Sequence, residues 1–224
     1  MARLKEHEKA LYFRKQGMSY SQIKERLGVS KSTLSYWLRK YPLSKQQIGI
    51  LRDWNEQRIE RFRETMRRKR ELREQVFYRE QRKLIFPLRA RALYLAGIFL
   101  YWGEGSKTRR TGLALTNTDP SVILFFIHWL MQALHVSKNR LKVQLHLYHD
   151  MDIQREVRYW SRTLHIPIRQ IGRPYIKKST SGRINHKGEF GHGTCRVLVG
   201  NARLTEQVLM AISAVSDYYK ERGA

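Results

Sequence analysis

The residue in this chain best placed to do chemistry is Glu104. It is an acid flanked by Gly103 and Gly105 at the end of an apolar run, YLAGIFLYWGEGSK, from Tyr94 to Lys107. The run reads as one long helix. A helix C-terminus carries partial negative charge, so a carboxylate there is electrostatically misplaced unless a cation lies beside it. The chain has 44 Lys and Arg against 19 Asp and Glu, a formal net charge of +25. In that setting a lone Gly-flanked acid suggests a metal held against nucleic acid.

The other chemistry-bearing residues have blander readings. HLYHDMD places His146, His149, Asp150 and Asp152 close in sequence, but without any known ligand spacing. An Asp there reads as a helix N-cap, and His146 as a contact on a sheet face. His186 and His192 fall in a basic, Gly-rich loop that would order on nucleic acid. Cys195 is the single cysteine. That excludes an internal disulfide and a multi-cysteine zinc site, and its alternation with Val197 and Val199 reads as a buried thiol. GEGSK has neither the length nor the glycine spacing of a phosphate-binding loop.

The charge balance predicts a polyanionic partner, and nucleic acid is the commonest. A membrane is not expected, because Leu93–Trp102 is too short to span one and His128 and Gln132 break Val122–Leu134. The charged start, MARLKEHEK, does not read as a secretory signal. The expected location is the cytoplasm, in association with the nucleoid.

Three segments must position these residues. In residues 1–43, helices are expected over Lys5–Gln16, from Ser19 to Leu27, and from Ser30 to about Tyr41. Ser19 and Gln22 form a capping box, Gly28 supplies the turn, and Pro42 stops the third helix. Ile23, Leu27, Val29, Leu34, Trp37 and Leu38 fall at core spacing. On the third helix Lys31, Ser32, Ser35, Tyr36 and Arg39 share the opposite face, which would enter a DNA major groove. Residues 44–89 lack an internal Gly or Pro over most of their length and read as a basic helical connector. Its cluster Arg67, Arg68, Lys69 and Arg70 could track a phosphate backbone, and a solvated spacer fits the same composition.

Residues 90–224 read as a domain of helices and strands. A strand near Gly112–Thr116, hairpin-paired with part of Ser106–Arg110, precedes a helix capped by Asp119 and Pro120. The inner stripe of that helix is Val122, Phe125, Phe126, Trp129, Leu130 and Ala133. LKVQLHLY alternates strictly, with Lys142, Gln144 and His146 on its polar side. A helix follows, with Ile153, Val157, Trp160 and Leu164 inward. Strands near Gln170–Lys177 and Gly193–Val199 and a last helix, Asn201–Ser216, complete the domain. The sheet is expected to be covered by helices on one face and open on the other. Lys142, Gln144, His146, Arg173, Lys177, Lys178, Arg183, Lys187 and Arg196 are its candidate DNA contacts.

Two resemblances bear on function. SYSQIKERLGVSKSTLSYWL resembles the helix-turn-helix of resolvases and transposases. Residues 94–215 resemble a single-motif LAGLIDADG domain of homing endonucleases, on the helix Tyr94–Gly103, the GEG at 103–105, and LALTNTDPSVILFFIHWL. That second resemblance implies an α+β fold with a curved antiparallel sheet and helices on one face. It also implies a homodimer, because the family's site needs two motif helices, and a Mg²⁺ ion held by Glu104. Aligned on the acid, Ile98 and Phe99 stand where the family has small residues, and the family includes transcription regulators with a fused helix-turn-helix. Two functions follow: a sequence-specific, regulatory binder of double-stranded DNA, or a Mg²⁺-dependent DNA endonuclease using Glu104 and Lys107. RNA binding is a third reading.

Overall fold

A computed structural model of the chain describes residues 2–51, 54–108, 111–178 and 191–223. Arg183, Lys187 and His186 lie outside the described residues. The chain divides into two compact units, Met1–Phe86 and Pro87–Ala224.

The first unit begins with α1 (Ala2–Lys15), α2 (Tyr20–Leu27) and α3 (Lys31–Leu38). Local chemistry sets these boundaries. The Gln22 amide N–H donates to Ser19 Oγ at 3.2 Å, and the Ser19 N–H donates to Gln22 Oε1 at 2.8 Å. Two otherwise orphaned donors are thereby satisfied. Gly28 adopts φ +67°, a left-handed conformation cheap only for glycine, and its N–H closes on the Lys24 carbonyl. Ser30 caps α3 through the Thr33 N–H. This helix ends at Leu38, three residues before the expected Tyr41, in a turn where the Tyr41 N–H donates to the Leu38 carbonyl. Ala10, Tyr20, Ile23, Leu34 and Leu38 form the buried centre, with Leu27, Val29 and Trp37 half-buried around it.

Two further helices belong to this unit. The short α4 (Lys45–Gly49) repeats the Ser-x-x-Gln box at Ser44 and Gln47. The long α5 (Trp54–Ile85) packs its first turns back onto the three-helix core. Arg14, on α1, donates to both oxygens of Glu60, at 2.8 and 3.4 Å. Their side chains are only 2% and 5% exposed. Arg63 also donates to Glu60, at 2.9 Å, and the guanidinium groups of Arg14 and Arg63 both lie over the Tyr20 ring, at 4.5 and 4.2 Å. A carboxylate shared by two guanidiniums is well compensated for its burial. Farther along, Arg68–Glu64 at 2.7 Å and Arg70–Glu74 at 3.6 Å are helical i,i+4 pairs. They supply the support expected of an exposed helix, a few tenths of a kcal/mol each.

The second unit comprises α6 (Ala90–Glu104), β1 (Gly112–Asn117), α7 (Pro120–Gln132), β2 (Lys142–Tyr148), α8 (Ile153–Leu164), β3 (Tyr175–Lys177), β4 (Thr194–Gly200) and α9 (Ala202–Glu221). The strands form one sheet in the order β1-β4-β2-β3. Its β1–β4 and β2–β4 pairs are antiparallel and its β2–β3 pair is parallel. The sheet is therefore mixed, which corrects the expected antiparallel one. The cause is α8, which carries the chain from β2 back to the starting end before β3 pairs, as any parallel neighbour requires. Most of the segment expected as a strand from Gln170 is irregular, and only Tyr175–Lys177 extends as β3. The expected hairpin partner of β1 reduces, among the described residues, to a bridge from Gly105 to Leu115 and a bond from the Ser106 N–H to the Ala114 carbonyl.

Leu113, Leu115, Val143, Leu145, Leu147, Cys195, Val197 and Val199 point into one core with α6, α7, α8 and α9. At α7 the buried stripe is Ile123, Phe126, Ile127, Trp129 and Leu130, rotated from the expected one so that Val122 and Phe125 are half-buried. Trp129 explains the rotation. Its ring occupies the space beside Gly97, where a Cβ would meet Trp129 Cδ1 at 2.0 Å, and its Nε1 donates to the Tyr94 carbonyl at 3.2 Å.

Candidate nucleic-acid interface

On α3, Lys31, Ser32, Ser35, Tyr36 and Arg39 are all exposed, while Leu34 and Leu38 are buried. The 3.6-residue period produces this separation. Tyr36 is 66% exposed, and the Arg39 guanidinium rests 5.3 Å from its ring centre. The pair thus holds a cation and a flat ring on the polar face of the helix.

This face runs on into α5. Ser35, Arg39, Arg63, Arg67, Arg70 and Arg73 line a single concavity of about 390 Å³ within the first unit. Arg67 is brought to α3, as a phosphate-tracking role needs. Arg68 does not line the concavity and pairs with Glu64. Arg70, from the expected basic cluster, lines it too, and Arg73 was missed as a site residue. Its signal was the three-residue spacing that places Arg67, Arg70 and Arg73 on one helix face. Phe62 and Met66, both exposed, line the same concavity.

In the second unit the open face is built by β2, β3 and β4. Strand alternation places Lys142, Gln144 and His146 outward against inward Val143, Leu145 and Leu147. Cross-strand register then aligns Thr116, Arg196 and Gln144 in one row, and Thr194, His146 and Tyr175 in another. Lys142, Gln144, Arg169, Arg173 and Arg196 converge on a groove of about 490 Å³. Among the described residues none of these four cations makes an ion pair or a side-chain hydrogen bond, in contrast to the paired arginines of α5. Lys177 lies over the Tyr148 ring at 5.1 Å. Lys178 is exposed one residue beyond β3 and does not line the groove. The open face stops short of most of β1, where Gly112 and Ala114 are buried, which corrects the expectation of a sheet open across one whole face. Arg169 was missed because it precedes β3 on an irregular turn with no period to read.

His146 has its pKa lowered from the ordinary 6.5, first by burial of the ring and then by the charges of Lys177 and Arg196. Burial and the cationic surface thus both favour the neutral imidazole.

Glu104 is the last residue of α6 and is exposed. Lys107 Nζ donates to the Trp102 carbonyl at 2.6 Å, capping the negative end of that helix as a cation should. Among the described residues no three His, Cys, Asp or Glu side chains gather as a metal site. Asp119 and Asp152 are N-caps, accepting from the Ser121 and Arg155 N–H groups. Burial pushes the Cys195 thiol up to about 12, so it is inert at neutral pH. His192 differs from the expected loop residue. Its Nδ1 lies 2.6 Å from Glu156 Oε2, its ring stacks on Tyr159 at 3.4 Å, and Trp160 Nε1 donates to its carbonyl. Glu156 is buried on the inner side of α8, four residues before Trp160, while Ile153, expected inward, is exposed.

Residues 2–49 match the model of a family described as a homeodomain-like domain. The N-terminal unit therefore carries a helix-turn-helix of a DNA-binding class. No curated protein and no solved structure matches the chain. Among the described residues no single helix is long and apolar enough to cross a membrane.

Proposed function

We propose that this protein is a sequence-specific binder of double-stranded DNA, of regulatory type, that works as a homodimer. The observation that carries the reading is the exposed face of α3 continuing into the arginine-lined concavity of α5. Such an arrangement separates two tasks. Ser32, Ser35, Tyr36 and Arg39 would meet base edges in the major groove, while Arg67, Arg70 and Arg73 would neutralise phosphates beside it. The open sheet face of the second unit supplies a second cationic surface.

The homodimer is supported by α6. Ala92, Leu95, Ala96, Phe99 and Trp102 recur at helical spacing on its outer side. Phe99 is 50% exposed, and its ring stacks with Trp102 at 6.2 Å. Ile98 is buried in its own core, so only Phe99 of the two bulky residues stands on that outer side. An apolar stripe of this kind suits a second copy of the same helix. The endonuclease reading rests on Glu104. Magnesium is usually held by one or two carboxylates completed by substrate phosphates. Glu104 supplies a single carboxylate per chain, so this reading depends on a dimer that brings a second copy of it close.

Arg39→Ala and Tyr36→Ala are each expected to weaken binding to a selected duplex about 5- to 150-fold, with little change on a scrambled one. Fluorescence anisotropy on both duplexes measures this. Equal losses on the two would mean that α3 does not read bases.

A pH dependence follows from His146. Between 6.5 and its lower folded value, the unfolded chain takes up a proton that the folded chain refuses, so stability falls as pH falls through that interval. A bound phosphate reverses the preference by favouring the imidazolium. Affinity at the sheet face is thus expected to rise as pH drops below 6.5, and His146→Gln is expected to flatten the profile. Anisotropy between about pH 5.5 and 8, limits on either side of the ordinary histidine value, checks it.

A further inference from the structure

We infer that the open face of β2, β3 and β4 binds single-stranded DNA, which the helix-turn-helix unit does not. This rests on the reading of that face as a nucleic-acid surface and names the strand state it takes.

The first argument is the ring pattern. Tyr175 is 58% exposed on the outer strand β3. His146 stands beside it in register, ring centres 5.5 Å apart, and Tyr148 follows on the same side of β2 with Lys177 over its ring. Alternate residues on a strand are about 6.6 Å apart, a spacing at which successive unpaired bases can each meet a ring. Tyr175 is exposed and His146 and Tyr148 are half-buried. Rings interleaved with cations in this way form the stacking platform of single-strand binders, because every base has a face to stack and the backbone follows the charge. Stacked base pairs in a duplex present only their edges and cannot use such rings.

The second argument is the groove. Its roughly 490 Å³ is the scale of a small-molecule pocket, large enough for one unstacked nucleotide. Lys142, Arg169, Arg173 and Arg196 surround it with no acidic residue in its lining. Gln144 opens into it with an amide that makes no hydrogen bond among the described residues. An amide presents both a donor and an acceptor, which suits the exposed edge of an unpaired base. The charge complementarity selects a polyanion, the rings select an unpaired strand, and the helix-turn-helix on the same chain makes DNA the assigned one.

The test is a titration of the full chain against a labelled single strand of about 12 nucleotides, its duplex, and the same strand as RNA. Tyr175→Ala is expected to weaken single-strand binding about 5- to 150-fold, Tyr175→Phe to restore it, and neither to change duplex binding. Arg196→Glu is expected to weaken single-strand binding and reduce its salt dependence. If Arg196→Glu weakens binding while Tyr175→Ala does not, the face binds nucleic acid but not as a stacking platform, and this inference falls alone. If neither variant changes any binding, the underlying reading of the face falls with it. Tighter binding to the RNA strand than to the DNA strand would overturn the assignment of DNA.

Discussion

Glu60→Ala is expected to destabilise the N-terminal unit by about 3–5 kcal/mol, the usual effect of leaving a buried charge unpaired. Glu60 joins α5 to α1 through Arg14, and both side chains are almost wholly enclosed, 5% and 2% exposed. Removing the carboxylate strands the Arg14 guanidinium. Its remaining bonds to the Tyr41 and Met18 carbonyls satisfy its donors but not its charge. The same loss frees Arg63, whose position over Tyr20 orders the start of α5. Urea unfolding monitored by circular dichroism measures the change. The control is Asp217→Ala, which removes the exposed pair to Lys220 and should cost under about 1 kcal/mol. Equal effects from the two substitutions would mean that α5 does not depend on this ion pair.

The second large effect is expected at Gly97. A Cβ there would lie 2.0 Å from Trp129 Cδ1, and Trp129 has nowhere to go. It is fully buried, bonded to Tyr94, and packed against Tyr101 at 6.4 Å and Phe126 at 5.9 Å. Gly97→Val must therefore part α6 from α7, with an expected loss of about 4 kcal/mol or more. Gly103 lies on the same helix with nothing within 4 Å of an added Cβ. Gly103→Ala is expected to stabilise by about 0.5–1 kcal/mol, the helical preference for alanine. Opposite signs in thermal melts would establish that close packing, rather than chain freedom, selects glycine at 97.

Elements with a local physical cause were legible in the sequence. Ser19, Gln22, Gly28 and Ser30 determine their helix ends through bonds to their immediate neighbours, and LKVQLHLY alternates because one side is buried. The same capping pattern at Ser44 and Gln47 announces α4, although it was read as part of a connector. What depended on distant partners was not legible. The parallel pairing of β3 depends on where α8 returns the chain. The rotation of α7 depends on a tryptophan meeting a glycine on another helix. The burial of Glu60 and Glu156 depends on partners, Arg14 and His192, that lie 46 and 36 positions away.

The candidate site divides in the same way. The α3 residues follow from periodicity, and Lys142, Gln144 and Arg196 from strand alternation. The grouping of Arg67, Arg70 and Arg73 with Arg39 needed the fold of α5 onto the core, and Arg169 needed the irregular turn before β3. Glu104, the residue with the clearest sequence signal, ends α6 exposed, and no metal cluster gathers among the described residues.

The most direct test of sequence-specific duplex binding is a selection from a randomised duplex library with Mg²⁺ present, sequencing both retained and cut DNA. It would compare the wild-type chain with an Arg39→Ala, Tyr36→Ala double variant and with Glu104→Gln. The account predicts one enriched, uncut sequence of two inverted half-sites, lost in the double variant and kept by Glu104→Gln. Retained DNA without any enriched sequence, or enrichment unchanged in the double variant, would contradict it. Site-specific cuts that vanish in Glu104→Gln would replace the regulator with a nuclease.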